Sequence, residues 1–209
     1  MDDIKIAITK GRLLDNSIEL FERAGYDCSQ LRDPGRRLIH PIPGTPFSGV
    51  LAKAPDVITY VEHGVCAMGI VGRDTIMEHS HDFYEVLDLG FGKCRFALAA
   101  PKGSDFYAGR ETRRIASKYP KVAHDYFLSR GMDVSVIKIE GSVELAPLLG
   151  LSDAIVDIVE TGSTLRANGL EVGEEICQLS ARLIVNTAAM KLHRSEILEF
   201  IEKCRGALQ

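Results

Sequence analysis

The chain has 209 residues, 45% of them hydrophobic and 26% charged, enough to bury a real core as one large domain or two small lobes. Its formal net charge of −4, with no dominant basic stripe, argues against a nucleic-acid-binding protein, and no apolar run approaches the roughly 20 residues that a membrane helix needs. Five scattered cysteines without a CxxC pair, and Asp2 and Asp3 where a secretory leader would carry positive charge, lead us to expect free thiols in a reducing cytoplasm.

Ile4 to Ile8 predicts a first buried strand, and Leu14, Ile18 and Phe21 recur at helical spacing up to Gly25. Lys10 and Arg12 fall at the carboxyl end of that strand, where open α/β sheets bind ligands, although an ordinary basic loop would read the same way. Arg32 to Gly44 reads as irregular, with a short strand at Leu38–Ile42 and the pair Arg36 and Arg37 before it. Phe47 to Lys53 predicts a strand ending on a lysine. Pro55 and Gly64 then bracket a helix with Val57, Tyr60 and Val61 inward. Ala67 to Val71 is a further buried strand, and Gly72 to Thr75 opens the next helix. This alternation predicts a parallel sheet with helices on its faces. His79 and His81 are spaced as a metal pair on a strand would be, but they lie among Glu78, Ser80 and Asp82 with no third ligand evident.

Phe83 to Leu89 and Lys93 to Ala100 are strand-like runs separated by Gly90-Phe91-Gly92, which we take as the boundary between lobes. The second repeats the α/β pattern, with a strand at Arg114–Ser117 and a helix from Tyr119 with Pro120 in its first turn. Val122, Tyr126 and Phe127 face inward along that helix, and Tyr119 either starts it or stacks on a base. Val134 to Ile139 predicts a strand and Val143 to Leu149 a helix. Ser142 and Glu144 stand at the helix start, where Glu144 has a capping role as its alternative. Ile176 to Asn186 returns as a strand, and Glu196 to Lys203 is an amphipathic helix.

Between these lies Asp153 to Leu165, DAIVDIVETGSTL, the most informative stretch of the chain. Ile155, Val156, Ile158 and Val159 make a short β-branched run that reads as a buried strand. It breaks into Glu160-Thr161-Gly162-Ser163-Thr164, where Gly162 permits a positive φ and close approach to a ligand, and the neighbours offer hydroxyls beside backbone N–H groups. A helix over Thr164–Asn168 follows, stopped by Gly169, so the turn suits a phosphate monoester. Asp157 and Glu160 would repel phosphate and are better used accepting hydrogen bonds from ribose hydroxyls, directly or through a metal ion, which favours a sugar phosphate. A plain strand–turn–helix with a polar turn is the alternative.

The same stretch resembles the phosphoribosyl-pyrophosphate motif of the ATP phosphoribosyltransferase family. TKGRL at 9–13, DVITYVEHG at 56–64, GIVGRD at 69–74, LGFGKCRFALAAP at 89–101, IASKYP at 115–120, GSVELAPLLGLSDAIVDIVETGSTLRANGL at 141–170 and ARLIVN at 181–186 also match, in the family's order. The resemblance implies an α/β, two-lobed architecture like type II periplasmic binding proteins, with the active site in the inter-lobe cleft. It implies transfer of phosphoribosyl from phosphoribosyl pyrophosphate to N1 of ATP, with pyrophosphate released, the first step of histidine biosynthesis. Residues 1–89 and about 180–209 would be the ATP side and 90–179 the phosphoribosyl pyrophosphate side. Asp157, Glu160, Thr161, Gly162, Ser163, Thr164 and Leu165, with Ser142 and Glu144, would hold phosphoribosyl pyrophosphate. Lys10 and Arg12 would act in catalysis, and Arg12, Arg36 and Lys53 on ATP. The family pattern has a lysine just before Asp56, where this chain has Pro55. Mg²⁺ would arrive on the substrate rather than on protein side chains. The chain resembles the family's short form, which lacks a C-terminal histidine-sensing domain. That implies a homodimer joined by a regulatory subunit resembling histidyl-tRNA synthetase, in the cytoplasm, with neither nucleic acid nor membrane as partner. Two other readings stand beside this one. A phosphoribosyltransferase acting on a free base would usually carry two adjacent acids where this chain has Asp157-Ile158, and a non-enzymatic ligand-binding domain leaves the phosphate turn unexplained.

Overall fold

Residues 3–79, 82–108 and 112–209 are described by the computed structural model. The chain begins with β1 (Ile4–Thr9), α1 (Arg12–Arg23), α2 (Ser29–Arg32), β2 (Ile39–Pro41), β3 (Phe47–Ala52), α3 (Ala54–Glu62), β4 (Met68–Gly72), α4 (Arg73–Glu78) and β5 (Phe83–Asp88). It continues through β6 (Cys94–Pro101), β7 (Arg113–Ser117), α5 (Pro120–Ser129), β8 (Val134–Lys138), α6 (Leu145–Leu148), β9 (Ala154–Val159), α7 (Ser163–Ala167) and β10 (Leu170–Leu179). It closes with β11 (Ala181–Asn186), α8 (Ala189–Leu192) and α9 (Arg194–Ala207). These elements form two units: Met1–Ile76 with Ser80–Gly92 and Ser180–Gln209, and Lys93–Leu179 with Met77–His79.

In the first unit the sheet order is β2-β3-β1-β4-β11-β5. Only β3, β1 and β4 follow the expected parallel rule; β2 and β11 run antiparallel to their neighbours. The reason is connectivity. A parallel neighbour needs a crossover helix, which α1 and α3 supply, whereas β11 enters this sheet directly from β10. Alternation along β1 splits the core, sending Ile4, Ile6 and Ile8 to the face covered by α1 and α9, and Ala7 to the face covered by α3. Phe21 of α1 and Phe200 of α9 meet edge-on at 5.2 Å, with Tyr26 and Phe47 beside them. Each large side chain so buried contributes about 2–3 kcal/mol relative to exposure. On the other face α3 lies so close to β4 that a Cβ at Gly69 would come within 2.8 Å of both Val57 and Val61. Ile58, not Tyr60, takes a buried place on α3 beside Val57 and Val61; Tyr60 is half-buried. Asn186 ties the end of β11 to α3, its amide donating to the Val61 carbonyl at 2.8 Å while its oxygen accepts from the N–H groups of Ala188 and Ala189.

The second unit has the order β10-β6-β9-β7-β8, with β9, β7 and β8 parallel and β6 antiparallel to both its neighbours. One face packs Ile155 and Val159 under Val143, Ala146, Leu165 and Leu170; the other packs Ala154 and Val156 under Ala123 and Phe127 of α5 and Phe106. Ala123 takes the buried place that periodicity gave to Tyr126, which is half-buried and sends its hydroxyl to Glu174. The single strand expected at Ile176–Asn186 is two strands in different sheets, parted at Ser180, and β10 already starts at Leu170. Register shifts between Val172 and Glu174 and between Glu175 and Cys177 erase the period of two that would have revealed it. The helix expected over Val143–Leu149 is the single turn α6. Among the described residues no helix is long and apolar enough to cross a membrane.

Candidate functional site

In the second unit the parallel strands β9, β7 and β8 all end at one sheet edge. Beyond Val159 the chain turns through Glu160 and Thr161 to Gly162, whose φ of 71° and ψ of 12° are left-handed. The α7 helix follows, and Leu165, only 4% exposed, fastens it to the core. The Thr161 and Ser163 hydroxyls lie 3.0 Å apart, and the Ser163 N–H points at the Thr161 hydroxyl at 3.3 Å. With five residues α7 has a small dipole, so the donors a phosphate would meet here are local hydroxyls and backbone N–H groups. Asp157 is half-buried, on the same sheet face as Ile155 and Val159, and its direct cross-strand neighbour is Ala97, a single methyl group. Val143 is buried in that same face, so the Gly141–Glu144 loop that carries Ser142 and Glu144 comes down beside the turn. Glu144 holds the N-cap position of α6 without a side-chain capping hydrogen bond, so capping does not account for it. The topology thus brings Ser142, Glu144, Asp157 and Glu160 to Leu165 onto one face and edge of this unit.

Three cations at that edge were not assigned a role from the sequence. Arg95 of β6 lies opposite Val159, with its Nε 3.5 Å from the Glu175 carboxylate. Lys118 follows β7 directly, and Arg166 of α7 reaches back to donate to the Thr161 carbonyl at 3.1 Å. A basic residue at a strand end is the signal that would have found the first two. Ser117, fully buried, donates to the Val156 carbonyl at 2.6 Å and accepts the Tyr119 N–H at 2.9 Å, fixing the turn into α5. Tyr119 packs edge-on against Phe96 at 4.9 Å, which makes it a packing residue. Asp153, at the head of the informative stretch, is an anchor. It accepts from the Arg114 guanidinium at 3.0 Å and the Arg114 N–H at 2.8 Å, and these hydrogen bonds hold its carboxyl below the usual range.

The first unit has its own edge of the same kind. The Lys10 N–H donates to the Ala52 carbonyl at 2.9 Å, which sets the end of β1 beside the end of β3. Gly11, at φ 84° and ψ −148°, occupies a region essentially closed to other residues and turns the chain into α1 at Arg12. Lys53 follows β3. Arg36 sits in the turn closed by the Arg37 N–H on the Pro34 carbonyl, just before β2, whose first residue Ile39 faces Val50. Lys10, Arg12, Arg36 and Lys53 therefore gather at one sheet edge. Arg73, after β4, joins them without having been assigned a role. His40, 2% exposed, bonds the Arg37 carbonyl at 3.1 Å and braces the arginine turn. His79 is exposed, and His81 lies outside the described residues.

One unit thus carries a cationic sheet edge, and the other a glycine turn with hydroxyls and flanking carboxylates, both at strand ends of the kind where open α/β sheets bind ligands. The aliphatic sulphonate binding protein SsuA of Escherichia coli superposes over 100% of this chain and 73% of its own, with a TM-score of 0.60 at 11% identity. At that identity the likeness establishes the fold alone, that of type II periplasmic binding proteins. A chain of the ATP phosphoribosyl transferase (HisG:HisZ) complex from Thermotoga maritima matches at TM-score 0.83 and 33% identity, over 98% of this chain and 97% of that one. The ATP phosphoribosyltransferase of Clostridium kluyveri is 58% identical over 200 residues, 96% of this chain and 91% of that protein. The Clostridium acetobutylicum enzyme is 53% identical over 206 residues, 99% and 96% respectively. Residues 53–206 match the family described as HisG: ATP phosphoribosyltransferase. The chain belongs to the ATP phosphoribosyltransferase family.

Proposed function

We propose that this chain transfers the phosphoribosyl group of phosphoribosyl pyrophosphate to N1 of ATP, giving N1-(5-phospho-β-D-ribosyl)-ATP and pyrophosphate, the first step of L-histidine biosynthesis. The observation that carries the residue-level reading is the left-handed Gly162 turn with Asp157 five residues before it, on strand β9 and on the face of Ile155 and Val159. In the reaction the bond from C1 to the pyrophosphate oxygen breaks, its electron pair leaves with pyrophosphate, and the N1 lone pair of adenine forms the new C1–N bond. N1 is already unprotonated at neutral pH, so catalysis consists of orienting the two substrates and stabilising the departing charge. Thr161, Ser163 and Thr164 hold the 5′-phosphate with backbone N–H groups of the turn, and Leu165 keeps the turn seated. Asp157 and Glu160 accept from the ribose hydroxyls. Ser142 and Glu144 border the same pocket. Lys10 and Arg12 stabilise the developing pyrophosphate charge, and Arg12, Arg36 and Lys53 take the ATP phosphates. Pro55, where the family pattern implied a lysine, lies in the first turn of α3, and Arg73 supplies a cation at that edge instead.

Mg²⁺ enters this reading as part of the substrate. Among the described residues no group of three or more His, Cys, Asp or Glu side chains is arranged so that it could hold a metal ion. The donors at the turn, Asp157 and Glu160, suit ribose or the outer shell of a hydrated ion better than a resident cage. We also propose a cytoplasmic homodimer that joins a regulatory subunit resembling histidyl-tRNA synthetase; for the second protein alone, the Thermotoga maritima relative, a chain of a HisG:HisZ complex, gives support. The decisive measurement is pyrophosphate release with phosphoribosyl pyrophosphate, Mg²⁺ and either ATP or free adenine. Release with ATP alone is expected. Release only with a free base would overturn the acceptor.

A further inference from the structure

We infer that Arg166 is a positioning residue for the phosphate turn: its guanidinium orients the Thr161–Gly162 peptide so that the Gly162 N–H faces the 5′-phosphate. This rests on the reading of Glu160 to Leu165 as the phosphoribosyl pyrophosphate turn. From α7 the Arg166 Nη1 reaches back to the Thr161 carbonyl at 3.1 Å and lies 3.2 Å from where a Cβ of Gly162 would stand. In a trans peptide the C=O and the following N–H point in opposite directions. A carbonyl held by the guanidinium therefore sends the Gly162 N–H away from Arg166, toward the open side of the turn. Gly162 needs this restraint, because without a side chain it samples left- and right-handed backbone with similar ease.

Charge supports the same assignment. Asp157 and Glu160 bring negative charge to a place meant for a phosphate, so a local cation is required. Arg95 has the Glu175 carboxylate at 3.5 Å, Lys138 has Glu140 at 2.8 Å, and the charge of Lys118 also acts on Glu140. Arg166 bonds a neutral carbonyl, so its positive charge stays with the turn. A guanidinium can hold that carbonyl with one N–H and still direct its field at the anion beyond it.

The test is calorimetric titration of phosphoribosyl pyrophosphate, and separately of ATP, into wild type, Arg166→Ala and Arg166→Lys, with melting temperatures of all three. Arg166→Ala should weaken phosphoribosyl pyrophosphate about tenfold, the loss expected for one charge-assisted hydrogen bond. ATP affinity and melting temperature should hold, and Arg166→Lys should recover most of the loss. In turnover the KM for phosphoribosyl pyrophosphate should rise by a similar factor, with a much smaller fall in kcat. Wild-type affinity in Arg166→Ala, or equal weakening of both substrates, overturns the inference. Wild type that binds phosphoribosyl pyrophosphate yet releases no pyrophosphate with ATP rejects the proposed reaction and leaves Arg166 in place. Wild type that does not bind it at all rejects both.

Discussion

Gly162 shows how much of this protein rests on single residues. At φ 71° a β-branched side chain is strained, and its Cβ would press on Arg166 at 3.2 Å and touch Val159 at 3.7 Å. The strain of about 1–2 kcal/mol is small against the roughly 5–15 kcal/mol that holds a domain together. Gly162→Val should therefore stay folded by circular dichroism while titration detects no phosphoribosyl pyrophosphate binding. Retained affinity in the folded variant would remove the turn from the site. Asp157→Asn should keep the fold and weaken phosphoribosyl pyrophosphate about tenfold or more, since a carboxylate acceptor becomes an amide. ATP binding should change little; an equal loss of both would show that Asp157 does not serve the ribose.

At the scale of elements, the bulged strand β10 and the tight fit of α3 are the features most open to test. The bulge near Gly173 re-aims Glu174, which accepts from the Tyr107 and Tyr126 hydroxyls at 2.6 and 2.5 Å and pairs with Arg130 at 2.9 Å. The Tyr107 and Tyr126 hydrogen bonds, followed by the Arg130 charge, hold the Glu174 carboxyl below its usual 4.5. A depressed folded value means that this stabilisation is fully present above about 4.5 and is lost as pH falls through the folded value. Glu174→Gln should therefore melt lower than wild type at pH 7, and the gap should close on acidification below about pH 4.5. A gap that does not depend on pH would mean that the carboxylate charge plays no part. On the first sheet, Gly69→Ala would force a methyl within 2.8 Å of Val57 and Val61, overpacking that costs about 1–3 kcal/mol, visible as a lower denaturant midpoint.

At the scale of the whole molecule the question is regulation. The chain covers 97% of the Thermotoga maritima subunit and 96% of the Clostridium acetobutylicum enzyme, so it shares their extent closely. Allosteric inhibition needs a second site whose ligand prefers one global state. With that site placed on a partner, the isolated chain should turn over at the same rate with and without millimolar histidine, and addition of the regulatory subunit should confer inhibition. A rate assay at saturating substrates checks this. Strong inhibition of the purified chain alone would place the site within it.

How much was legible in the sequence follows from the range of the forces involved. Strand β9, the Gly162 turn, the Pro55 and Pro120 helix starts and the stop at Gly169 could be read directly, because φ preferences and a period of two or 3.6 act between near neighbours. So could the separate strand-end cations Lys10 and Lys53. Their gathering with Arg36 and Arg73 at one sheet edge was not legible, since strand order is set by pairing between segments far apart in the chain. The parting of β10 from β11 at Ser180 was hidden for the same reason, as two register shifts blur a pattern that only the partner β6 makes sense of. Arg166 stood in plain view in a matching block, but its hold on the Thr161 carbonyl exists only once the chain has turned back through Gly162. By itself the sequence determined the chemistry available at each turn, through local backbone preference and side-chain type. Which turns share a sheet edge, and which cation serves which turn, only the tertiary structure decided, because non-local strand pairing and burial choose the neighbours.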